Sequence, residues 1–519
     1  MSNPTADPFA ARIDVWLQHH RWIPISVVGA ACAIVVVASS RVKSVVHDEI
    51  YTILMTRLPS LRIMWLASMA GVDLSPPLNL WLTRAVQAVA GVGPVATRIP
   101  ALLGFAMTVF VVFAVVRRRA GPTAALTGAL LPFMTAGLRY ASEARAYGLM
   151  MGLAAASIYC WMEAAQDRRR SRNLVLMALA LAGSVWNHYF GVLAFAPIIA
   201  GELTRLSQRH RLDRGVAVAV SAALMSTLPL YPLIEASASQ RSTFWSHASA
   251  SQVTAVYAFV LNALISTPLV VAAGVAIALL LGAAHAARRP RVEALFAPAK
   301  DRRLSAHEAA AIVVAVATPL LAVFLGGLTG AFAPRYALGG VAGISIAIPL
   351  LLWRVNTHRS LAELALCGTL MYFVTGSVVA SVRSFDMAAA PPILDRPLLV
   401  QSLRSPSPTI VASSLQFLQF WYYAPTELKP RMWYLTDPAE ALKRTGADTF
   451  DRGYLALSRW TPVPVERYDD FVTAHPTFRV YQSGSGWILD KLAESGATVE
   501  EIGYENDGRL YRVVMPSRR

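Results

Sequence analysis

Long apolar runs separated by short polar segments cover most of the chain. A helix needs about 20 apolar residues to cross a bilayer, and runs of that kind recur between Trp22 and Ser381. The first covers residues 22–40, and another strong run covers residues 95–116. Followed in order, the runs give about eleven crossings. The pattern therefore predicts a mainly α, polytopic helical membrane protein.

The segment 76–93 is apolar in part but does not have the pattern of a span. Its polar side chains share one face of a helix, with apolar side chains at helical spacing on the other. The polar face carries Asn79, Thr83, Arg84 and Gln87. This pattern is typical of a helix that lies in the membrane surface. A shorter helix of the same kind is expected over 48–58. Residues 41–94 would then form a large external loop that carries both surface helices. Residues 251–266 have a similar pattern.

From residue 384 onwards the pattern changes. Short strand-like runs such as "TIVAS", "FRVYQ" and "RLYRVVM" alternate with helical runs such as "PAEALKRTG" and "YDDFVTAH". This alternation predicts a small soluble α/β domain on the external side of the membrane. The chain is thus expected to have a membrane domain at 1–383 and an external domain at 384–519.

Composition and charge placement support this topology. The chain is 55% hydrophobic and 15% charged, with a mean hydropathy of +0.46, which lies outside the range of soluble proteins. The net charge of +16 comes in short clusters between apolar runs, at 117–119, 168–172, 205–214, 288–291 with 300–303, and 354–359. Short basic segments between spans are typical of cytoplasmic loops. A nucleic-acid surface would be contiguous and interleaved with exposed aromatic residues, so that class is excluded.

This topology also brings distant polar residues to one side of the membrane. Arg12 and Arg21 precede the first run, so the chain is expected to start inside and to emerge outside before residue 47. The external ends of the spans then carry Asp48, Glu49, Glu143, Arg145, His188, Tyr189, Arg335 and Tyr336. Ionisable residues near membrane depth are costly, so their gathering on one side predicts a functional site.

Each of these residues also has a purely structural alternative. Asp48 can serve as the N-cap of the helix that follows it. Arg139 and Glu143 are four residues apart and can form a structural ion pair on one helix face. The "WNHYFG" segment can belong to an interfacial aromatic belt, and the arginine of "APRYALGG" can reach lipid headgroups. Taken singly, these alternatives stay open.

The order of several short motifs resembles a known family. "HDEIYT", "SPPLNLWL", "TRIPALLG", "SEARAYGL", "NHYFG" and "PRYALGG" follow one another between residues 40 and 345. This order resembles the GT-C superfamily of membrane glycosyltransferases. It is most similar to the branch that contains protein O-mannosyltransferases, the lipid A aminoarabinose transferase and bacterial lipopolysaccharide glycosyltransferases. One departure is "SPPLNL", where many relatives have a histidine before the prolines and aromatic residues after them.

The resemblance implies a substrate class and a location. The donor would be a polyprenyl-phosphate sugar, and one sugar would be transferred with inversion. The acceptor would be an envelope component such as lipid A or lipopolysaccharide, a cell-wall glycan or a protein. The enzyme would lie in the bacterial inner membrane with its active site facing the periplasm.

The resemblance also implies roles for the predicted site residues. Asp48 matches the family's catalytic aspartate and is assigned as the general base. Glu49 is expected to raise the basicity of Asp48 or to orient the acceptor. Arg145 and Arg335 are expected to stabilise the leaving phosphate. The remaining candidates for binding donor phosphate or sugar are Glu143, Tyr147, His188, Tyr189 and Tyr336.

No cofactor is firmly implied, and a divalent metal ion stays an alternative. Asp48, Glu143 and His188 offer suitable oxygen and nitrogen ligands. Their spacing is not that of a tight metal motif, and the superfamily has both metal-dependent and metal-independent members.

Two other functional classes are compatible with a polytopic protein. A transporter or flippase of lipid-linked sugars would carry charges near the bilayer midplane and repeated halves, whereas here the charges lie at external ends and no halves repeat. A non-catalytic scaffold for envelope assembly would use the external domain for docking.

Overall fold

The computed structural model describes residues 8–20, 22–262, 304–355, 359–484 and 486–516. The basic clusters at 288–291 and 300–303 lie outside these residues. The last residues of the helix expected over 251–266 also lie outside them.

The membrane domain is built from helices joined by short turns. In chain order its helices are α1 (Pro8–His19), α2 (Trp22–Val42), α3 (His47–Thr56), α4 (Leu61–Met69), α5 (Leu78–Ala90), α6 (Pro94–Arg119), α7 (Pro122–Leu130), α8 (Ala136–Ala141), α9 (Tyr147–Ala165), α10 (Arg170–Asn187), α11 (Phe195–Arg209), α12 (Arg214–Met225), α13 (Tyr231–Ala238), α14 (Val253–Leu261), α15 (Ala306–Val316), α16 (Thr318–Thr329), α17 (Gly340–Val355) and α18 (Arg359–Arg383). Two 3₁₀ segments, Tyr189–Ala194 and Pro334–Gly339, precede α11 and α17.

Several of these helices can span a membrane. Within the described residues, seven helical segments are long and apolar enough, or eight if the bent pair α15–α16 counts as one span. The seven are Trp22–Val42, Pro94–Arg119, Tyr147–Ala165, Tyr189–Arg209, Arg214–Ala238, Pro334–Leu352 and Ala365–Arg383. The prediction of a mainly α, multi-pass membrane protein is confirmed, and the number of about eleven crossings stays a prediction.

The external loop differs in part from the prediction. Helix α5 is amphipathic as expected, and its polar face packs inward, where Gln87 donates a hydrogen bond to Thr97 (3.0 Å), while Val89 is 91% exposed. Helix α3 is not a surface helix: nine of its ten residues are buried. Helix α4 was not predicted. The short apolar run at 48–58 could not reveal by periodicity that both faces of α3 are covered by protein.

The C-terminal unit is an α/β sandwich. It contains α19 (Pro397–Arg404), β1 (Thr409–Val411), α20 (Ser414–Tyr423), β2 (Met432–Thr436), α21 (Pro438–Thr445), α22 (Thr449–Leu457), β3 (Val465–Arg467), α23 (Tyr468–Ala474), β4 (Thr477–Ser483), α24 (Ile488–Glu494), β5 (Thr498–Glu505) and β6 (Gly508–Val514). The strand order is β3-β2-β1-β4-β6-β5. The first four strands in this order are parallel, and β6 runs antiparallel to β4 and β5.

The two faces of this sheet belong to different apolar cores. Along β1, Ile410 points into a core covered by helices of the C-terminal unit, and Val411 points into a second core, as the alternation of a strand requires. The second core also contains Ile50, Ile53 and Met55 of α3. Helix α3 therefore packs into the C-terminal unit, and this contact fixes the unit against the helices that precede it.

A buried ion pair fixes the other side of α3. Glu49 is fully buried, and both of its oxygens accept hydrogen bonds from Arg98 of α6, each at 2.7 Å. Oε1 of Glu49 also accepts the backbone N–H of Ala144 (2.7 Å), and Oε2 accepts that of Val46 (3.2 Å). Arg98 in turn donates to the carbonyl of Ser40 (2.7 Å). This pair thus connects α2, α3, α6 and the turn before α9.

Glycines allow α6 and α9 to pack backbone to backbone. A Cβ atom on Gly104 would lie 2.2 Å from the carbonyl oxygen of Gly148, and a Cβ on Gly152 would lie 2.4 Å from the carbonyl oxygen of Gly104. Small residues at such crossings are typical of membrane helix pairs. The turn that carries Arg145 leads directly into α9, so this crossing also positions Arg145.

We expect Gly104→Ala to destabilise the protein by roughly 1–3 kcal/mol, because the methyl group has to displace backbone atoms. Gly368→Ala in α18 is the matched control, since no described atom lies within 4 Å of its Cβ position and alanine favours a helix. Thermal unfolding in detergent micelles measures both variants. Equal melting temperatures for the two would contradict this packing.

We expect Arg98→Leu to cost about 3–5 kcal/mol of unfolding free energy, because it leaves the Glu49 carboxylate buried without a counter-charge. The matched control is Arg509→Leu, which removes another Arg–Glu pair, one whose side chains are 63% and 40% exposed, and should cost less than about 1 kcal/mol. Denaturant unfolding in mixed micelles compares them. A cost for Arg98→Leu no larger than that of the control would refute the anchoring role.

Candidate active site

Asp48 and Glu49 are adjacent in sequence but face different surroundings. Neighbouring residues of a helix point in different directions, so Glu49 lies in the buried pair with Arg98 while the Asp48 side chain is 37% exposed. The expectation that Glu49 orients the acceptor or raises the basicity of Asp48 is therefore corrected. Its charge is neutralised by Arg98 and it has no exposed surface, so its role is to anchor α3.

Two arginines converge on Asp48 from distant parts of the chain. Nη2 of Arg335 lies 3.4 Å from Oδ2 of Asp48, and Nη1 of Arg145 donates to the backbone carbonyl of Asp48 (3.4 Å). Oδ1 of Asp48 lies 3.3 Å from Nδ1 of His47. The predicted gathering of Asp48, Arg145 and Arg335 is what the structure shows.

These neighbours determine the charge of Asp48. Burial by itself raises the pKa of the Asp48 carboxyl. The positive charges of Arg145 and Arg335 and the hydrogen bond from His47 outweigh burial and hold this pKa well below its usual value. Asp48 is therefore a carboxylate at neutral pH.

The guanidinium group of Arg145 keeps a donor that the described residues do not use, and that of Arg335 is partly exposed. Nε of Arg145 is buried and has no hydrogen-bond partner among the described residues. Nε of Arg335 donates to the hydroxyl of Tyr147 (2.8 Å), its guanidinium lies 5.6 Å from the centre of the Trp245 ring, and its side chain is 25% exposed. A buried donor without a partner is costly unless a ligand or water satisfies it, so this pair of arginines is suited to bind an anion.

A cluster of aromatic rings lines the same region. His188 and Tyr336 have ring centres 4.7 Å apart, and Tyr147 stacks on Tyr336 at 6.2 Å. Nδ1 of His188 accepts the backbone N–H of Phe190 (3.2 Å), which leaves the proton of a neutral ring on Nε2. Burial, with the nearby charges of Arg145 and Arg335, lowers the pKa of His188 to about 3. His188 is thus a neutral hydrogen-bond donor.

Glu143 and Tyr189 are not brought into contact with these groups. Oε1 of Glu143 accepts a hydrogen bond from Lys43 (2.6 Å) and a longer one from Arg139 (3.4 Å). The structural alternative for Glu143 is therefore the better description, with Lys43 as its main partner. Tyr189 is half-buried, and its hydroxyl has no hydrogen bond to Asp48, Arg145 or Arg335.

The three residues considered as metal ligands do not form a metal site. Asp48 faces Arg335, Glu143 binds Lys43, and His188 lies among aromatic rings. Across the described ranges, no group of three His, Cys, Asp or Glu side chains is placed to hold an ion. The divalent metal ion otherwise stays an untested alternative.

Two buried residues of this region were not predicted. Asp73 lies 3.7 Å from Nη1 of Arg145 and accepts the backbone N–H of Ser75 (3.0 Å). The other is Arg98, the partner of Glu49. Both stand in or beside motifs that the sequence displays, because Asp73 precedes "SPPLNL" and Arg98 lies within "TRIPALLG". Arg98 lies near the start of an apolar span, where a charge is costly without a partner, so its position in the sequence could have predicted a buried acidic partner.

A narrow apolar crevice adjoins the aromatic cluster. Met150, Ala154 and Ile158 of α9 form one wall, and Leu193, Pro197 and Ala315 are among the residues opposite, with Tyr336 also in the lining. Tyr336 belongs both to this crevice and to the aromatic cluster, so the crevice lies directly beside that cluster.

Part of the sequence matches a known family. Residues 75–229 match the sequence model of the dolichyl-phosphate-mannose-protein mannosyltransferase family. No curated protein sequence matches the chain significantly.

Solved structures share the fold. ArnT from Cupriavidus metallidurans in the apo state aligns with a TM-score of 0.55 at 13% identity, over 94% of this chain and 97% of that chain. The same protein bound to undecaprenyl phosphate aligns with a TM-score of 0.55 at 15% identity over the same shares. The Archaeoglobus fulgidus oligosaccharyltransferase in complex with Zn and sulfate aligns with a TM-score of 0.46 at 10% identity, over 89% and 68%. The family match thus covers residues 75–229, and the two ArnT structures share the fold of this chain over nearly its whole length.

Proposed function

We propose that the protein transfers one sugar from a polyprenyl-phosphate donor to an envelope acceptor, with inversion of the anomeric carbon. The observation that carries this proposal is the convergence of the Asp48 carboxylate with the guanidinium groups of Arg145 and Arg335. A base for an acceptor and a cationic site for a phosphate lie side by side, at the ends of membrane helices.

Two further observations support a lipid-linked donor. The crevice beside Tyr336 offers an apolar lining to a polyprenyl chain, although it would have to widen to admit one, while the arginines take the phosphate. One of the structures that share the fold contains undecaprenyl phosphate. The donor would thus enter from the bilayer, with its phosphate bound by Arg145 and Arg335 in forked, charge-assisted contacts.

The chemistry then follows from these positions. An acceptor O–H or N–H places its lone pair on C1 of the sugar, and the C1–O bond to the phosphate breaks. The bonding electrons leave with the polyprenyl phosphate, whose growing negative charge the two arginines stabilise. Asp48 takes the proton of the acceptor. Attack opposite the leaving group inverts C1.

Donor binding would also activate the base. Without donor, the charges of Arg145 and Arg335 depress the pKa of Asp48 and make it a weak base. A bound phosphate neutralises much of that positive field. The pKa of Asp48 would then rise towards its ordinary value, so the base becomes effective when the donor is in place.

The orientation and the acceptor belong to the same proposal. The basic clusters would lie in the cytoplasm, and Asp48 on the opposite face, the periplasmic face of a bacterial inner membrane. Lipid A or lipopolysaccharide, a cell-wall glycan and a protein are the acceptor classes that the proposal allows. The C-terminal unit packs on α3 and so lies where it can contact the acceptor.

We expect Asp48→Asn to lower transfer by at least about 100-fold, because an amide cannot accept the proton. Purified protein in vesicles, supplied with radiolabelled polyprenyl-phosphate sugars and candidate acceptors, measures transfer directly. Asp470→Asn, which changes an exposed aspartate of α23, is the control and should remain active. Full transfer by Asp48→Asn would contradict the assignment of the base. Movement of intact donor between leaflets, without bond cleavage, would favour a flippase.

We expect Arg335→Lys to weaken the binding of undecaprenyl phosphate by about tenfold or more, because lysine cannot form the forked contact and loses the hydrogen bond to Tyr147. Arg139→Lys is the control, since the Arg139 side chain is 69% exposed. Binding is measured by titration of the lipid into detergent-solubilised protein. An unchanged dissociation constant for Arg335→Lys would remove Arg335 from the phosphate site.

A further inference from the structure

His47 connects the proposed base to the C-terminal unit. Its Nδ1 lies 3.3 Å from Oδ1 of Asp48, and its Nε2 lies 2.9 Å from the hydroxyl of Tyr454 in α22. The hydroxyl of Tyr454 also contacts the backbone carbonyl of Ser414. These contacts form a continuous chain from the carbonyl of Ser414 to the carboxylate of Asp48, although His47 and Tyr454 are 407 positions apart in sequence.

A count of protons determines how this chain is arranged. A carboxylate can only accept hydrogen bonds, so the contact with Asp48 requires a proton on Nδ1 of His47. The carbonyl of Ser414 can likewise only accept, so the single proton of the Tyr454 hydroxyl goes to Ser414. The Tyr454 oxygen then accepts from Nε2 of His47. Every contact of the chain is a hydrogen bond when His47 donates from both ring nitrogens, and the Tyr454 hydroxyl supports this form of the ring.

The surroundings hold both rings in place. Tyr454 is fully buried, packs 4.7 Å from Tyr434 and stacks at 6.0 Å on Tyr51 of α3. His47 is 8% exposed and meets the Phe450 ring edge-on at 5.3 Å. Packing on both sides prevents the imidazole from turning away, so the position of its Nδ1 is set by the C-terminal unit.

We propose that Tyr454 and His47 are positioning residues for the transfer reaction, and that the C-terminal unit thereby forms part of the active site. Tyr454 supports the form of His47 that donates from both ring nitrogens, and Nδ1–H of His47 holds the Asp48 carboxylate towards the acceptor. This inference rests on the proposed function, because it takes Asp48 as the base. A group that orients the base acts on the chemical step and leaves donor binding unchanged.

The first test compares two buried tyrosines of the same aromatic cluster. Tyr454→Phe should lower kcat by about tenfold with an unchanged KM for the donor, because the ring packing stays and only the hydroxyl is lost. Tyr434→Phe is the matched control: its hydroxyl contacts Asp451 (3.3 Å) and not His47, so its kcat should equal that of the unsubstituted protein. Melting temperatures of both variants identify any loss of folded protein.

The second test separates the two ring nitrogens of His47. The amide of His47→Asn can donate near the position of Nδ1, and the longer amide of His47→Gln reaches the position of Nε2. His47→Asn should therefore keep most of kcat, while His47→Gln should lose about tenfold or more. Adding Tyr454→Phe to His47→Asn should cause no further loss, because the two residues act through one contact.

Equal kcat values for Tyr454→Phe and Tyr434→Phe, together with full activity of His47→Gln, would overturn the proposal. If Asp48→Asn is inactive in the same assay, that result leaves the proposed function intact; if Asp48→Asn is active, the proposed function itself fails.

A measurement without substrate tests the contact independently of activity. The ¹⁵N signals of His47, assigned by their loss in His47→Gln, should show a proton on Nδ1, and Tyr454→Phe should shift the Nε2 signal. A ring with no proton on Nδ1 would overturn the proposal, whatever the protein transfers.

Discussion

The buried pair between Glu49 and Arg98 is the interaction on which the rest of the structure depends. It fixes α3 to α6 and, through the N–H of Ala144, fixes the turn that carries Arg145. The opposite side of α3 packs into the C-terminal unit. Because Asp48 lies in the first turn of α3, this helix holds the proposed base at a fixed place between the two domains. Removing one partner of such a pair leaves an uncompensated charge in the interior. Loss of the Glu49–Arg98 pair is therefore expected to displace α3 and, with it, Asp48.

The charged groups around Asp48 determine which kind of ligand the site can bind. Asp48 is surrounded by Arg145, Arg335 and His47, and its negative charge offsets part of theirs. Asp73 offsets part of the charge of Arg145 as well, and among the described residues Nε of Arg145 is a buried donor without a hydrogen-bond partner. In the proposed function, an incoming phosphate would compete with Asp48 for the arginines, and this competition would couple donor binding to the basicity of the carboxylate. A fixed array of charges that matches the charge developing in the transition state is the usual basis of such catalysis.

The sequence alone predicted the features that depend on local pattern and on topology. Run length and the placement of basic clusters predicted a multi-pass helical protein, and they brought Asp48, Arg145 and Arg335 to one side, where the structure has them in contact. Run length and charge placement could not predict contacts between residues that are far apart in the sequence. The partner of Glu49 is 49 residues away and the contact of His47 with Tyr454 spans 407, and no periodicity encodes either. Glu49 was misassigned because adjacency in sequence suggested a shared site, whereas consecutive helical residues face different directions.

The most direct test is a cryo-electron microscopy structure of the protein with undecaprenyl phosphate bound. The phosphate is expected to lie between Arg145 and Arg335, within hydrogen-bond distance of both guanidinium groups, with its chain in the crevice beside Tyr336. Asp48 should stay on α3 with its carboxylate facing the open side of the phosphate. A phosphate bound elsewhere, with both arginines still in contact with Asp48 as they are without ligand, would contradict the proposed site.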